Sequence, residues 1–397
     1  MLIELILALL LGILAGTITG LAPAIHINLV GALVLSASAF LLSISSPEAI
    51  IVFIVAMSIA HTFIDFIPSV FLGAPDEETA LSVLPGHELL KQGKGYEAVF
   101  YSSLGSLLAM PLLTIIIPLF ILFLPKAENI IIFFIPFILI ISSSFIIFTD
   151  KNKFSAFLVF ILSGFLGIAV LNSNINEPLL PLFSGLFGAS SLILSIKTKI
   201  TIPEQKIEKI KLNKRIIIPP IFASLLTAPL CSFIPALGSG QAATISTTLI
   251  KTTKRRFLIL LGSTNILVLT LSFIVLYSIG KSRTGIAVFI GELAPKISQQ
   301  TLLIIIWVII FTTIISFFWT LYLTKIFSKL ISKVNYSIIS IFVLIFILIV
   351  VIIFSGFLGF LIFITSTATG VYGISTEVKR INLMGCLLIP TILIYLI

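Results

Sequence analysis

Apolar runs of about twenty residues recur along the whole chain, and they constrain the fold more than any other feature. Ile130–Phe148, Phe154–Leu171, Phe257–Ile279, Thr301–Tyr322 and Ile338–Phe354 are examples. Each is long enough to cross a ~30 Å hydrocarbon core as a helix. The runs do not alternate, so they do not read as barrel strands. Composition agrees: 59% of the 397 residues are hydrophobic, only 10% are charged, and the mean hydropathy is +1.27. A soluble domain carries roughly 25% charged residues. This chain therefore reads as an all-α polytopic membrane protein, multi-pass in the cell membrane.

The longest polar stretch, Lys197–Arg215, is too short for an extramembrane enzyme or ATPase domain. The sequence contains neither a phosphate-binding G-x-x-x-x-G-K-[ST] loop nor an H-E-x-x-H zinc pattern. The N-terminus lacks a basic region before its apolar run and reads as a retained segment. Cys231 and Cys386 lie in apolar runs and read as small buried hydrophobes.

Charge is divided unevenly. Residues 1–196 hold 5 basic and 11 acidic side chains; residues 197–397 hold 19 and 4. The basic residues fall in short loops, chiefly Lys197–Arg215, Lys251–Arg256 and Lys325–Lys333. The bias of Lys and Arg toward cytoplasmic loops places all three inside. Ile216–Ile250 must then leave the cytoplasm and return to it. Its centre, Phe233–Gln241, is rich in Pro and Gly, and it is short for two full spans. A re-entrant helical hairpin fits, with its tip at membrane depth.

The N-terminus shows the same plan, broken at Ala22–Asn28. Pro23-Ala24-Ile25 parallels Pro235-Ala236-Leu237. Further on, Thr79, Val83, Gly86 and Lys91 match Thr284, Val288, Gly291 and Lys296 at one constant offset. Five spans follow each hairpin: about 49–72, 97–124, 129–149, 154–171 and 179–196, then 256–279, 299–324, 336–354, 355–373 and 381–397. Pro111 and Pro118 predict a kink or break in 97–124. An odd span count inverts the second half relative to the first, as the charge bias also requires. The expected organisation is a repeat at 1–196, a cytoplasmic linker at 197–215 and an inverted repeat at 216–397. Paired broken helices in inverted halves are a signature of secondary transporters.

Four stretches carry a resemblance to a known family. They are Gly12–Pro23; Gly73-Ala-Pro-Asp-Glu-Glu-Thr79 with Leu84–Ala98; Ile234–Ala243; and Gly262-Ser-Thr-Asn265. Together they make the chain similar to the TctA family, the large membrane subunit of tripartite tricarboxylate transporters. The first tip reads Ala-Pro-Ala-Ile-His where that family is richer in glycine, and Tyr277–Thr284 lacks its Pro-Gly. The resemblance implies a transporter fold, with a small membrane subunit and a soluble substrate-binding protein as partners; the basic residues, confined to short loops between spans, read as topology and not as a nucleic-acid surface.

Several residues are candidates for the chemistry. At a helix break, free N–H groups and the helix dipole suit an anion such as a carboxylate. This selects Pro23, His26 and Asn28 in one tip, and Pro235, Gly238, Ser239, Gly240 and Gln241 in the other, against the alternative that Gly and Pro serve tight packing. His61 and Asp65 share a helix face inside a span. They read either as an ion-coupling pair or as a structural hydrogen-bonded pair. Asn265 reads as a substrate contact or an interhelical hydrogen bond. Asp76, Glu77 and Glu78 read as a solvated cluster, and Lys281 and Arg283 as a pore-mouth or ordinary basic loop.

The leading expectation is a permease for a small organic anion, a di- or tricarboxylate. It works by alternating access, driven by H+ or Na+, with no cofactor. An alternative with the same fold is a translocase for a polyprenyl phosphate or other lipid-linked anion. An intramembrane enzyme would need His26, His61 and Asp65 to meet around a metal.

Overall fold

The computed structural model describes residues 2–22, 38–73, 79–197, 202–232, 238–280, 284–294, 297–333 and 336–396. Pro23, His26, Asn28 and Pro235, together with Asp76, Glu77, Glu78, Lys281 and Arg283, lie outside them. Among the described residues the regular structure is helical. Eight helices among these residues are long and apolar enough to cross a membrane.

The first half contains α1 (Leu2–Leu21), α2 (Ser38–Ile44), α3 (Pro47–Ile64) and its continuation α4 (Phe66–Phe71). A short α5 (Val83–Leu90), α6 (Gly95–Phe148), α7 (Lys153–Leu171), α8 (Leu179–Phe183) and α9 (Ser190–Lys197) follow. A π-helical turn, Ser184–Ala189, joins α8 to α9. The second half contains α10 (Lys214–Ser232), α11 (Ser239–Leu249), α12 (Lys254–Ile279), α13 (Gly285–Leu293), α14 (Gln299–Ile331), α15 (Tyr336–Ser375) and α16 (Gly385–Leu396).

Two helices form the centre. The α3–α4 segment and α12 are buried almost throughout, whereas α1, α6 and α15 turn large apolar faces outward. Outward Leu, Ile and Phe are what a lipid-facing surface requires, because lipid is their solvent. Small residues let backbones approach. Gly12, Gly16 and Gly20 of α1 sit against Phe53, Ala56, Met57, Ala60 and His61 of α3. Gly105 of α6 meets Ile259 of α12, and Gly262 of α12 meets Ser102 and Ser106 of α6, where the Ser106 hydroxyl donates to the Gly262 carbonyl at 2.9 Å.

The pairing crosses between halves in a reciprocal way. The central helix of each half packs on the long helix of the other, α3 on α14 and α12 on α6. At the periphery α7 packs on α16, with Gly164 and Gly167 against Ile389 and Cys386, and the α8–α9 segment packs on α15, with Gly185 and Gly370 at the contact.

Two long helices double back on themselves. The helical assignment runs unbroken through Gly95–Phe148, with prolines at 111, 118, 125 and 136. Yet Glu97, near its start, pairs with Arg255, while Phe145 and Thr149, at its end, share a cavity with Lys251 and Phe257. A straight helix of this length would hold its ends roughly 80 Å apart. The chain therefore reverses inside the proline-rich middle, as two passes at 97–124 and 129–149 require. In α15 the break is explicit: Gly356 has φ 65° and ψ −162°. Val343, Ile347 and Val350 before it, and Phe363 after it, pack on the same α8–α9 segment.

The charged loops gather at one end. Lys254 pairs with Glu88 at 2.5 Å, the Lys206 amide donates to the Gly93 carbonyl at 2.8 Å, and Arg256 donates to the Arg215 carbonyl at 2.9 Å. The buried Gln205 pins the linker there, donating to the Leu90 carbonyl at 3.0 Å and accepting from the Gly95 amide at 2.8 Å. Glu4 with Ser45 and Ser46, and Ser355 with the Glu177 carbonyl, are linked separately among the residues that follow or precede the opposite ends of these spans.

Candidate functional site: a helix start and a buried polar chain

The second break leads into α11. This helix runs only from Ser239 to Leu249, with Gly238 in extended backbone at its N-cap. Gln241 caps the start, its Oε1 accepting from the Gly238 N–H at 2.7 Å. The amides of Ser239, Gly240 and Gln241 precede the first i−4 bond, which Ala242 makes to the Gly238 carbonyl. The Ser239 hydroxyl is fully buried and has no hydrogen-bond partner among the described residues. A buried hydroxyl left unsatisfied costs free energy, so one placed at a helix start, whose first N–H groups have no partner within the helix, marks a place shaped for an acceptor. Thr227 and Ser246, 2.5 Å apart, hold α10 against α11.

In the first half, His61 and Asp65 lie one turn apart in the buried α3. His61 Nδ1 is 3.0 Å from the Thr19 hydroxyl of α1, where Gly16 lets the two backbones close. Asp65 reaches the other way: its carboxylate accepts from the Thr79 hydroxyl at 2.5 Å, which in turn accepts from Ser69 at 2.7 Å. Pro68 causes the break between α3 and α4, since it lacks the N–H that would bond the Ile64 carbonyl. The arrangement is a buried carboxylate linked to two hydroxyls. Such a set can hold a proton or a small cation.

The Thr79–Thr284 echo has a structural counterpart. Thr284 caps α13 and lies 3.0 Å from Ser272 of α12, as Thr79 lies against Ser69. Asn265 is fully buried in α12. The described bonds place His61 and Asp65 in one polar chain with Thr19, Ser69 and Thr79, and Gly238, Ser239, Gly240 and Gln241 together at a second place. They do not join the two.

Sequence reasoning missed a third polar cluster. Arg380, beside the last span, is 8% exposed. Its guanidinium donates to the Ser190 hydroxyl at 2.7 Å, the Ser191 hydroxyl at 2.5 Å and the Phe187 carbonyl at 3.2 Å. The π-helical turn explains the site, because it shifts backbone bonds and turns carbonyls outward. Asp150 accepts from the Asn382 amide at 2.8 Å and the Lys379 N–H at 2.9 Å. His87 is buried beside Gly73, whose positive φ of 68° and missing Cβ admit the ring. Burial foremost, then Lys91 and Arg380, push its pKa down to about 3. The small-residue run Ser184–Ser191 was the only signal for this cluster, and it reads equally as packing.

Comparison with known proteins names the site's context. An uncharacterized protein of Methanocaldococcus jannaschii is 34% identical over 403 residues, covering 98% of this chain and 99% of the relative. No solved structure matches the chain. The profile of the tripartite tricarboxylate transporter TctA family matches residues 6–385, spanning the central helices, the α11 start and the Asp65 chain, and the protein belongs to that family.

Proposed function

We propose that the protein is the permease subunit for a small organic anion, a di- or tricarboxylate, and that α11 receives one carboxylate group of the substrate. The single observation that carries the site is Ser239: a buried hydroxyl with no hydrogen-bond partner among the described residues, at the start of α11. This donor and the positive end of the helix dipole favour an anion. Gln241 holds the helix start in shape by capping Gly238.

Coupling to H+ or Na+ is assigned to Asp65, with His61 as its neighbour on the face toward α1. Alternating access is the mechanism we propose, and the crossed pairing supports it. Each central helix is held by the opposite half, so rocking one half moves both polar places relative to each other. Two inverted halves, 1–196 and 216–397 joined by a linker on the cytoplasmic side, are supported by that reciprocity and by the gathering of basic loops at one end. A re-entrant second hairpin is supported by length. The 11-residue α11 extends roughly 17 Å, short of a ~30 Å core. Family membership implies a small membrane subunit and a soluble substrate-binding protein as partners.

Ser239→Ala and Gln241→Ala are expected to abolish uptake of labelled carboxylates into proteoliposomes while elution and helicity stay those of the wild type. Wild-type uptake in both variants would overturn the assignment.

A further inference from the structure

A cavity of about 760 Å³ opens at the basic end, between the halves. Four cations line it: Lys251, Lys254, Lys379 and Arg380. Among the described lining residues Glu88 is the one carboxylate. Thr253, the cap of the 26-residue α12, also lies on the wall, so the positive end of a long buried helix faces the same space. A second, independent observation points to a ligand. Arg380 is more than nine-tenths buried, it borders the cavity, and its Nε has no hydrogen-bond partner among the described residues. A buried guanidinium nitrogen without an acceptor costs free energy unless an anion reaches it.

The remaining wall identifies the anion's source. Phe145, Ile146 and Phe257 make one side apolar, and Phe145 is 45% exposed on the outside of the bundle. The cavity therefore joins a charged floor to a lipid-facing rim. A free dicarboxylate has no use for that rim, whereas an acyl or isoprenoid chain does. We infer that this cavity is a binding site for the headgroup of an anionic phospholipid, its phosphate held by Lys251, Lys379 and the α12 start and its chain lying along Phe145. The inference stands apart from the transport site at α11, and the lipid is a resident ligand that ties the two halves together at one membrane surface.

The test uses the full-length protein in detergent, with phosphatidylglycerol and phosphatidylcholine as probes and bound lipid counted by native mass spectrometry. The wild type is expected to prefer phosphatidylglycerol, and K251A/K379A to lower that preference about 10- to 30-fold. Lys325→Ala with Lys329→Ala, basic residues on α14 outside the cavity, are expected to leave it unchanged. Lys379 also donates to the Thr149 carbonyl at 3.0 Å. Lys251→Ala alone, which removes no hydrogen bond seen among the described residues, therefore serves if the double variant does not fold. Equal retention of both lipids, or an unchanged preference in Lys251→Ala, would overturn the inference. Displacement of phosphatidylglycerol by millimolar inorganic phosphate would assign the cavity to a free anion and overturn it equally.

Discussion

The α3–α4 segment and α12 hold equivalent places, each buried at the centre of its half and each packed on the other half's long helix. Their side chains differ in kind. The first carries His61 and Asp65 and is broken at Pro68; the second is continuous, and its buried stretch, Leu258–Leu276, carries Ser263, Thr264, Asn265, Thr270 and Ser272 without an ionisable group. The same hydroxyl pair recurs in both, Ser69 with Thr79 and Ser272 with Thr284. Only the first adds a carboxylate to it. An intramembrane carboxylate is expensive to keep, so its presence on one side alone points to a division of labour. Under the proposed function the first half supplies the group that takes a proton or cation, and the second supplies neutral donors for an anion.

The strongest way to break this comparison is to remove a seam that seats one central helix. A Cβ on Gly262 would lie 1.9 Å from the Ser102 carbonyl oxygen, a backbone atom that cannot step aside. Gly262→Val is expected to destabilise the protein by about 3 kcal/mol or more, read as loss of monodisperse protein or a fall in Tm. A wild-type Tm would mean that the reciprocal packing is not what holds α12.

Asp65→Asn sharpens the comparison next. It keeps shape and removes charge, so gradient-driven uptake should fall on the order of 100-fold. Asn265→Ala, at the neutral counterpart, should leave the gradient dependence in place.

The smallest effect expected is a pH slope from His87. Its pKa is about 3 in the fold against an ordinary 6.5. Between those values the unfolded chain binds a proton that the folded one does not. Stability from this group is therefore present above pH ~6.5 and is lost as pH falls, at up to roughly 1.4 kcal/mol per unit. His87→Asn should flatten the dependence of Tm between pH 7 and 5.

Much of this was legible in the sequence because it rests on local patterns. Apolar length announces spans, Pro and Gly announce breaks, and a four-residue spacing puts His61 and Asp65 on one helix face. The reversal within Gly95–Phe148 was legible too, as the gap between the apolar spans at 97–124 and 129–149. What each side chain touches was not legible. His61 meets Thr19 only because Gly16 lets α1 close on α3, and Asp65 meets Thr79 across a loop. Nothing in the sequence around Arg380 sets it apart from any other loop cation. Its burial depends on carbonyls turned outward by a π-helical turn nearly two hundred residues earlier in the chain, which no local pattern encodes.

The division of labour is tested most directly by measuring carboxylate binding and gradient-driven uptake side by side in the wild type, Asp65→Asn and Ser239→Ala. The account predicts that Asp65→Asn still binds the carboxylate but no longer accumulates it under an imposed H+ or Na+ gradient, and that Ser239→Ala loses binding itself. Gradient-driven accumulation by Asp65→Asn at the wild-type level, or equal loss of binding in both variants, would contradict it.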